Sequence, residues 1–145
     1  MISFLLLSCS ELPCVTPKQA RLNIGFYSAI NSDTTRLHFD RVVLENENFK
    51  GTIFRFKPLE FLDFLRVEME PNGDSFWLIF KENTQSDSVL VRYKKLPAFI
   101  SEECGFYNRY PDLEAELHGA TRFKSVLVVD PIVDTTLTTH VKIYF

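Results

Sequence analysis

The sequence predicts an all-β protein: an antiparallel β-sandwich of about seven to nine strands, with an immunoglobulin-like arrangement as one candidate. Three observations carry that expectation. Aromatic residues make up 14% of the 145 positions (14 Phe, 5 Tyr and 1 Trp), and such rings fit a pleated, half-buried surface better than a helix. Short apolar/polar alternations recur along the chain, separated by Pro, Gly, Asn and Asp. Almost no stretch repeats apolar residues at helical spacing. With 46% hydrophobic and 24% charged residues, the length suits one domain with a sizeable core, expected over 20–145.

The elements follow from these alternations in order. Leu22, Ile24 and Phe26 share one face of a first strand, opposite Arg21, Asn23 and Gly25. A polar loop over 31–35 leads to a second strand over 37–44, rich in β-branched residues at its centre. Residues 52–56 form a short strand that Pro58 ends, because proline cannot donate to a ladder. Leu65, Val67 and Met69 then alternate with Arg66, Glu68 and Glu70. The turn sequence Pro71-Asn72-Gly73-Asp74 leads to Phe76, Leu78 and Phe80, so 64–81 reads as a hairpin. Val89, Val91 and Tyr93 mark another strand, which stops near Leu96-Pro97. Phe106, Asn108 and Tyr110 resume the pattern, and 112–118 fits one helical turn between Pro111 and Gly119. Phe123, Ser125, Leu127 and Val129 share the face of a further strand. In the final strand, over 139–145, Val141, Ile143 and Phe145 oppose His140, Lys142 and Tyr144.

The N-terminus points to an address. The run Phe4-Leu5-Leu6-Leu7-Ser8 before Cys9 reads as the end of a bacterial lipoprotein signal, with aliphatic residues and then a small residue ahead of the cysteine. In that reading 1–8 is a signal remnant whose basic portion lies upstream of Met1, Cys9 carries the lipid, and 9–19 is a tether containing Pro13 and Pro17. The competing reading makes 1–8 an apolar strand and Cys9 a plain buried thiol. With three cysteines in an exported chain, lipidation of Cys9 leaves Cys14 and Cys104 as a disulfide pair. In a cytosolic chain both would be buried free thiols.

Composition and motifs exclude several function classes. A net charge of −3 and no basic cluster longer than Lys94-Lys95 argue against nucleic-acid binding. His38, His118 and His140 fit no metal or nucleophile–base spacing and are expected to be exposed or at strand edges. No nucleophile elbow or phosphate-cradling glycine loop occurs, so no enzyme, metal or cofactor is expected. Glu102-Glu103 reads as a solvated edge. Trp77 falls on the face opposite Phe76, Leu78 and Phe80; exposed beside Ile79 and Phe61, it would mark a partner patch.

The lipobox with its early second cysteine, the strand Asn23-Ile24-Gly25-Phe26-Tyr27, the segment 99–106 and the ending His140-Val141-Lys142-Ile143-Tyr144-Phe145 together resemble an uncharacterised family of small Bacteroidota lipoproteins. That resemblance implies an exported, lipid-anchored domain without assigned activity. The expected role is a non-enzymatic envelope lipoprotein, membrane-anchored at Cys9 and contacting an envelope or outer-membrane protein. The alternative is a carbohydrate- or small-ligand-binding module at the cell surface.

Overall fold

Strands that alternate apolar and polar residues each have one face to hide, and this chain hides them between two sheets. A computed structural model describes residues 19–58, 60–119 and 122–145, among which there are eleven strands and no helix. The first sheet contains β1 (Arg21–Tyr27), β4 (Phe64–Glu68), β10 (Ser125–Val128) and β11 (Val141–Tyr144), in the order β10-β11-β1-β4. The second contains β2 (Arg41–Glu45), β3 (Lys50–Arg55), β5 (Ser75–Glu82), β6 (Gln85–Arg92) and β9 (Glu114–His118), in the order β3-β2-β5-β6-β9. A separate ribbon pairs β7 (Leu96–Ser101) with β8 (Gly105–Arg109). The count exceeds the expected seven to nine because 96–101 and 114–118 are strands as well. All strand pairs are antiparallel except β1 with β11.

The core lies between the sheets. Leu22, Ile24 and Phe26 of β1, Leu65 and Val67 of β4 and Ile143 of β11 share one buried cluster with Val42, Phe76, Leu78, Phe80, Val89 and Val91 of the second sheet. Aromatic rings join the layers at one end. Phe26 of the first sheet meets Phe80 of the second edge-on at 5.9 Å, and Phe39 and Phe123 close around both, with centroids 5.2 and 5.1 Å from Phe80. Edge and tilted contacts of this kind add about 0.5–1.5 kcal/mol per pair beyond the area they bury.

Residues 64–81 are not a hairpin. β4 pairs with β1 in the first sheet, whereas β5 pairs with β2 and β6 in the second. The intervening turn therefore carries the chain across the sandwich. The Gly73 N–H donates to the Glu70 carbonyl at 3.3 Å, and the Tyr93 hydroxyl clamps the same carbonyl at 2.8 Å. The physical reason for the difference is that alternation shows which face is buried but not which strand lies alongside. Two strands facing each other across a core have the same pattern as two strands side by side.

Two further segments also differ from expectation. Over 112–118 the structure has edge strand β9 (Glu114–His118) rather than a helical turn, with Ala115 and Leu117 half-buried toward the core and Glu114, Glu116 and His118 exposed. Charges on the open side of an edge strand discourage pairing with another chain. In β10 the inner face belongs to Val126 and Val128, leaving Leu127 and Val129 exposed. Phe123 is buried through the loop preceding β10 rather than through strand parity.

Candidate interaction surfaces

Parity along β5 sends Phe76, Leu78 and Phe80 into the core and Trp77 and Ile79 to the outer face of the second sheet. Half-buried Leu90 lies opposite Trp77 and extends this outer strip, whereas Val43, opposite Ile79, is buried. The Trp77 indole is half-buried and meets the His118 ring edge-on at 5.0 Å. Ion pairs border the strip, with Glu45 on Lys50 at 3.2 Å and Arg92 on Glu116 at 3.2 Å. Phe61 is placed elsewhere. It is 54% exposed in the connection between β3 and β4 and packs on His38, which in turn packs on Phe56. Trp77 and Ile79 are thus brought together, while Phe61 belongs to the His38 group.

The second apolar feature is the β7–β8 ribbon. Phe99 and Phe106 are directly opposed partners on its outer face, 61% and 66% exposed, with ring centroids 5.4 Å apart. Tyr107 and Arg109 on the other face are half-buried, and the Arg109 guanidinium reaches Asp134 at 2.8 Å. At the tip Gly105 adopts φ +72°, which glycine takes without steric cost, and the Cys104 N–H donates to Ser101 Oγ at 3.0 Å. Glu102 and Glu103 occupy this turn rather than a strand edge. Phe99 is not legible in the sequence because Pro97 reads as a strand end; a two-stranded ribbon tolerates proline where no neighbour needs its N–H. Cys9 and Cys14 lie outside the described residues, so the lipidation site and the proposed partner of Cys104 do too.

An open groove of about 800 Å³ runs between the β5 and β9 ends of the second sheet, lined by Asp74, Arg92, Lys94, Asp112 and Glu114 beside Tyr93. Its charges are of both signs, and Lys94 pairs with Asp112 at 3.3 Å. Burial, reinforced by Tyr110, Glu70 and Asp74, pushes the Tyr93 phenol up to about 12, and burial beside Glu70 raises Tyr110 as well. Both phenols therefore remain neutral hydrogen-bonding groups at physiological pH.

The histidines stay apart. His38 bonds the Glu60 carbonyl through Nδ1 at 2.7 Å, and His118 lies on Trp77. His140 is fully buried, contrary to the expected exposure, because its ring turns into the gap beside β1 and accepts the Asn23 N–H at Nδ1, 2.9 Å away. Burial lowers its pKa, with Asp130 opposing the shift. Asn23 is held in turn by its Nδ2 donating to the Thr138 carbonyl at 2.8 Å. At the opposite end of the core, buried Asp87 accepts the N–H groups of Arg122 and Phe123 at 3.1 and 3.2 Å. The Arg122 guanidinium pairs with Glu82 and lies over the Phe39 ring. Both polar groups secure loops against the core. Among the described residues, no group of three or more His, Cys, Asp or Glu is arranged to hold a metal ion.

Fold and surface together define an all-β sandwich with a half-buried apolar strip around Trp77 on one sheet face and an exposed aromatic pair on the β7–β8 ribbon. The chain belongs to the family of unknown function DUF6452, which matches residues 62–145. That match takes in β4 to β11 and leaves β1, β2 and β3 outside it. Comparisons with curated proteins and with solved structures find no match.

Proposed function

We propose that this chain is a non-enzymatic lipoprotein of the bacterial cell envelope, of the small Bacteroidota kind, which works by protein–protein contact. The reading is supported at the N-terminus by Leu6-Leu7-Ser8-Cys9, whose residue types suit lipid attachment, and by Cys14 and Cys104 as a disulfide pair once Cys9 is modified. The observation that carries the contact role is the outer strip of Trp77, Ile79 and Leu90, half-buried apolar side chains on a sheet whose other side already forms the core. An indole framed by aliphatic neighbours and bordered by ion pairs has the make-up of a protein contact anchor. Lipid attachment would hold that face close to proteins of the same membrane.

Crosslinking and pull-down of the native lipoprotein test the contact role. Recovery of an envelope protein that is lost in Trp77→Ser and Ile79→Ser supports it. The charged groove favours a second reading, a carbohydrate- or small-ligand-binding module. Specific glycan retention without any protein partner, abolished by Arg92→Ala, would replace the first reading with the second. Lipidation is read separately: Cys9→Ala moves the protein to the soluble fraction and removes palmitate label. Unchanged labelling and fractionation in that variant would overturn the anchor.

A further inference from the structure

We propose that the β7–β8 ribbon is a membrane-contact element that rests Phe99 and Phe106 on the lipid interface beside the acylated N-terminus, an inference that relies on the lipoprotein reading above. Two rings more than 60% exposed, directly opposed on a two-stranded ribbon, contribute nothing to the core. The half-buried opposite face, with Tyr107 and Arg109, leaves the aromatic side as the one turned outward.

Chain geometry selects lipid as the occupant. Gln19 borders the same surface hollow as Asp134, the residue that holds Arg109 at the base of the ribbon. Gln19, the first described residue, therefore lies near the ribbon's base. Ten residues separate Gln19 from Cys9, and a fully extended chain of that length reaches at most about 35 Å. A Cys14–Cys104 bridge would tighten this further, because Cys104 is at the ribbon tip and only five residues, at most about 18 Å, separate Cys14 from Cys9. The acyl chains and the two rings would then lie at the same end of the molecule.

The chemistry also sets the depth and the kind of lipid. Among the described residues each strand of the ribbon pairs only with the other, and edge N–H and C=O groups left unpaired cannot enter hydrocarbon. Contact is therefore confined to the boundary between headgroups and acyl chains, where aromatic rings are well accommodated. Glu102 and Glu103 at the tip repel anionic headgroups, so attraction is apolar and needs no anionic lipid.

The test uses the full-length acylated protein reconstituted in zwitterionic phosphatidylcholine–phosphatidylethanolamine vesicles with brominated acyl chains. Trp77 is the sole tryptophan of the wild type and reports the sheet face; Phe106→Trp in a Trp77→Phe background reports the ribbon. At least twofold stronger quenching at position 106 than at position 77, unaffected by salt, is expected. Phe99→Trp in the same background provides a second reporter if the first variant folds poorly. Co-sedimentation with vesicles without quenching at 106 or 99, or stronger quenching at Trp77, overturns the ribbon contact while leaving the anchor intact. Failure of the wild type to take palmitate or co-sediment overturns the anchor itself, and the ribbon contact falls with it.

Discussion

Asn23 and His140 hold each other twice across 117 residues of chain: the Asn23 N–H donates to His140 Nδ1 at 2.9 Å, and the His140 N–H donates to the Asn23 carbonyl at 2.9 Å. The first bond requires an unprotonated Nδ1, so the neutral imidazole is part of how β1 is joined to the strand that follows His140. Burial lowers the pKa of His140 in the folded state, and the unfolded chain therefore takes up the proton first. The stabilisation is complete above the unfolded value of about 6.5 and is lost as pH falls through the folded value. Urea midpoints measured between pH 7.5 and pH 5 should fall in the wild type, and this part of the slope should vanish in His140→Gln.

The crossing between sheets gives a second prediction. Arg21 and Glu68 are registered partners in β1 and β4 with an exposed ion pair between their side chains. Opposed antiparallel residues have Cα atoms about 4.5–5.5 Å apart, which suits a disulfide. Arg21→Cys with Glu68→Cys should therefore oxidise readily, as read by peptide mapping without reduction. Glu68→Cys with Trp77→Cys, which would face each other in a 64–81 hairpin, should remain reduced.

Asp87 should behave as a structural carboxylate. Asp87→Ala leaves the Arg122 and Phe123 N–H groups without that acceptor, at a cost of roughly 1–3 kcal/mol for each. Asp87→Asn keeps one oxygen in place and should cost less. Denaturant titration at neutral pH separates the two.

Two phenylalanines should give opposite outcomes. Phe80 is 2% exposed at the junction of the layers, so Phe80→Ala should destabilise by about 3–5 kcal/mol. Phe99→Ser on the ribbon should change stability by no more than about 0.5 kcal/mol. Thermal and chemical denaturation of the pair checks the assignment of one ring to the core and the other to the surface.

Much of the layering was legible in the chain. The alternations of β1, β4, β5 and β11 each assign the buried face correctly, and Trp77 turns outward as its parity requires. Strand partnership was not legible, because Asn72-Gly73 suits a hairpin turn and a sheet-to-sheet corner alike. β9 was hidden by its flanks: Pro111 and Gly119 resemble helix boundaries, and the Glu-rich outer face hides the weaker inward pair Ala115 and Leu117. His140 follows two threonines and reads as a surface residue; only the fold shows that its ring takes the place of a strand carbonyl. Of the surfaces, parity located Trp77 with Ile79, whereas Phe61 shared a composition with them but not a location. Phe106 is legible as a strand residue from its spacing with Asn108 and Tyr110, whereas its partner Phe99 is not, because Pro97 reads as a strand end and 96–100 has no polar alternate to define a face.

The parallel pairing of β1 with β11 also fixes when the first sheet can close. At about 5–20 residues per second of synthesis, the 117 residues between Asn23 and His140 take about 6–23 s to appear. Over that interval Leu22, Ile24 and Phe26 have no permanent neighbour on one side, and a nascent chain of this kind stays open to chaperones and threadable through a narrow pore. Late closure of this sort makes the C-terminal strand the piece that completes the first sheet.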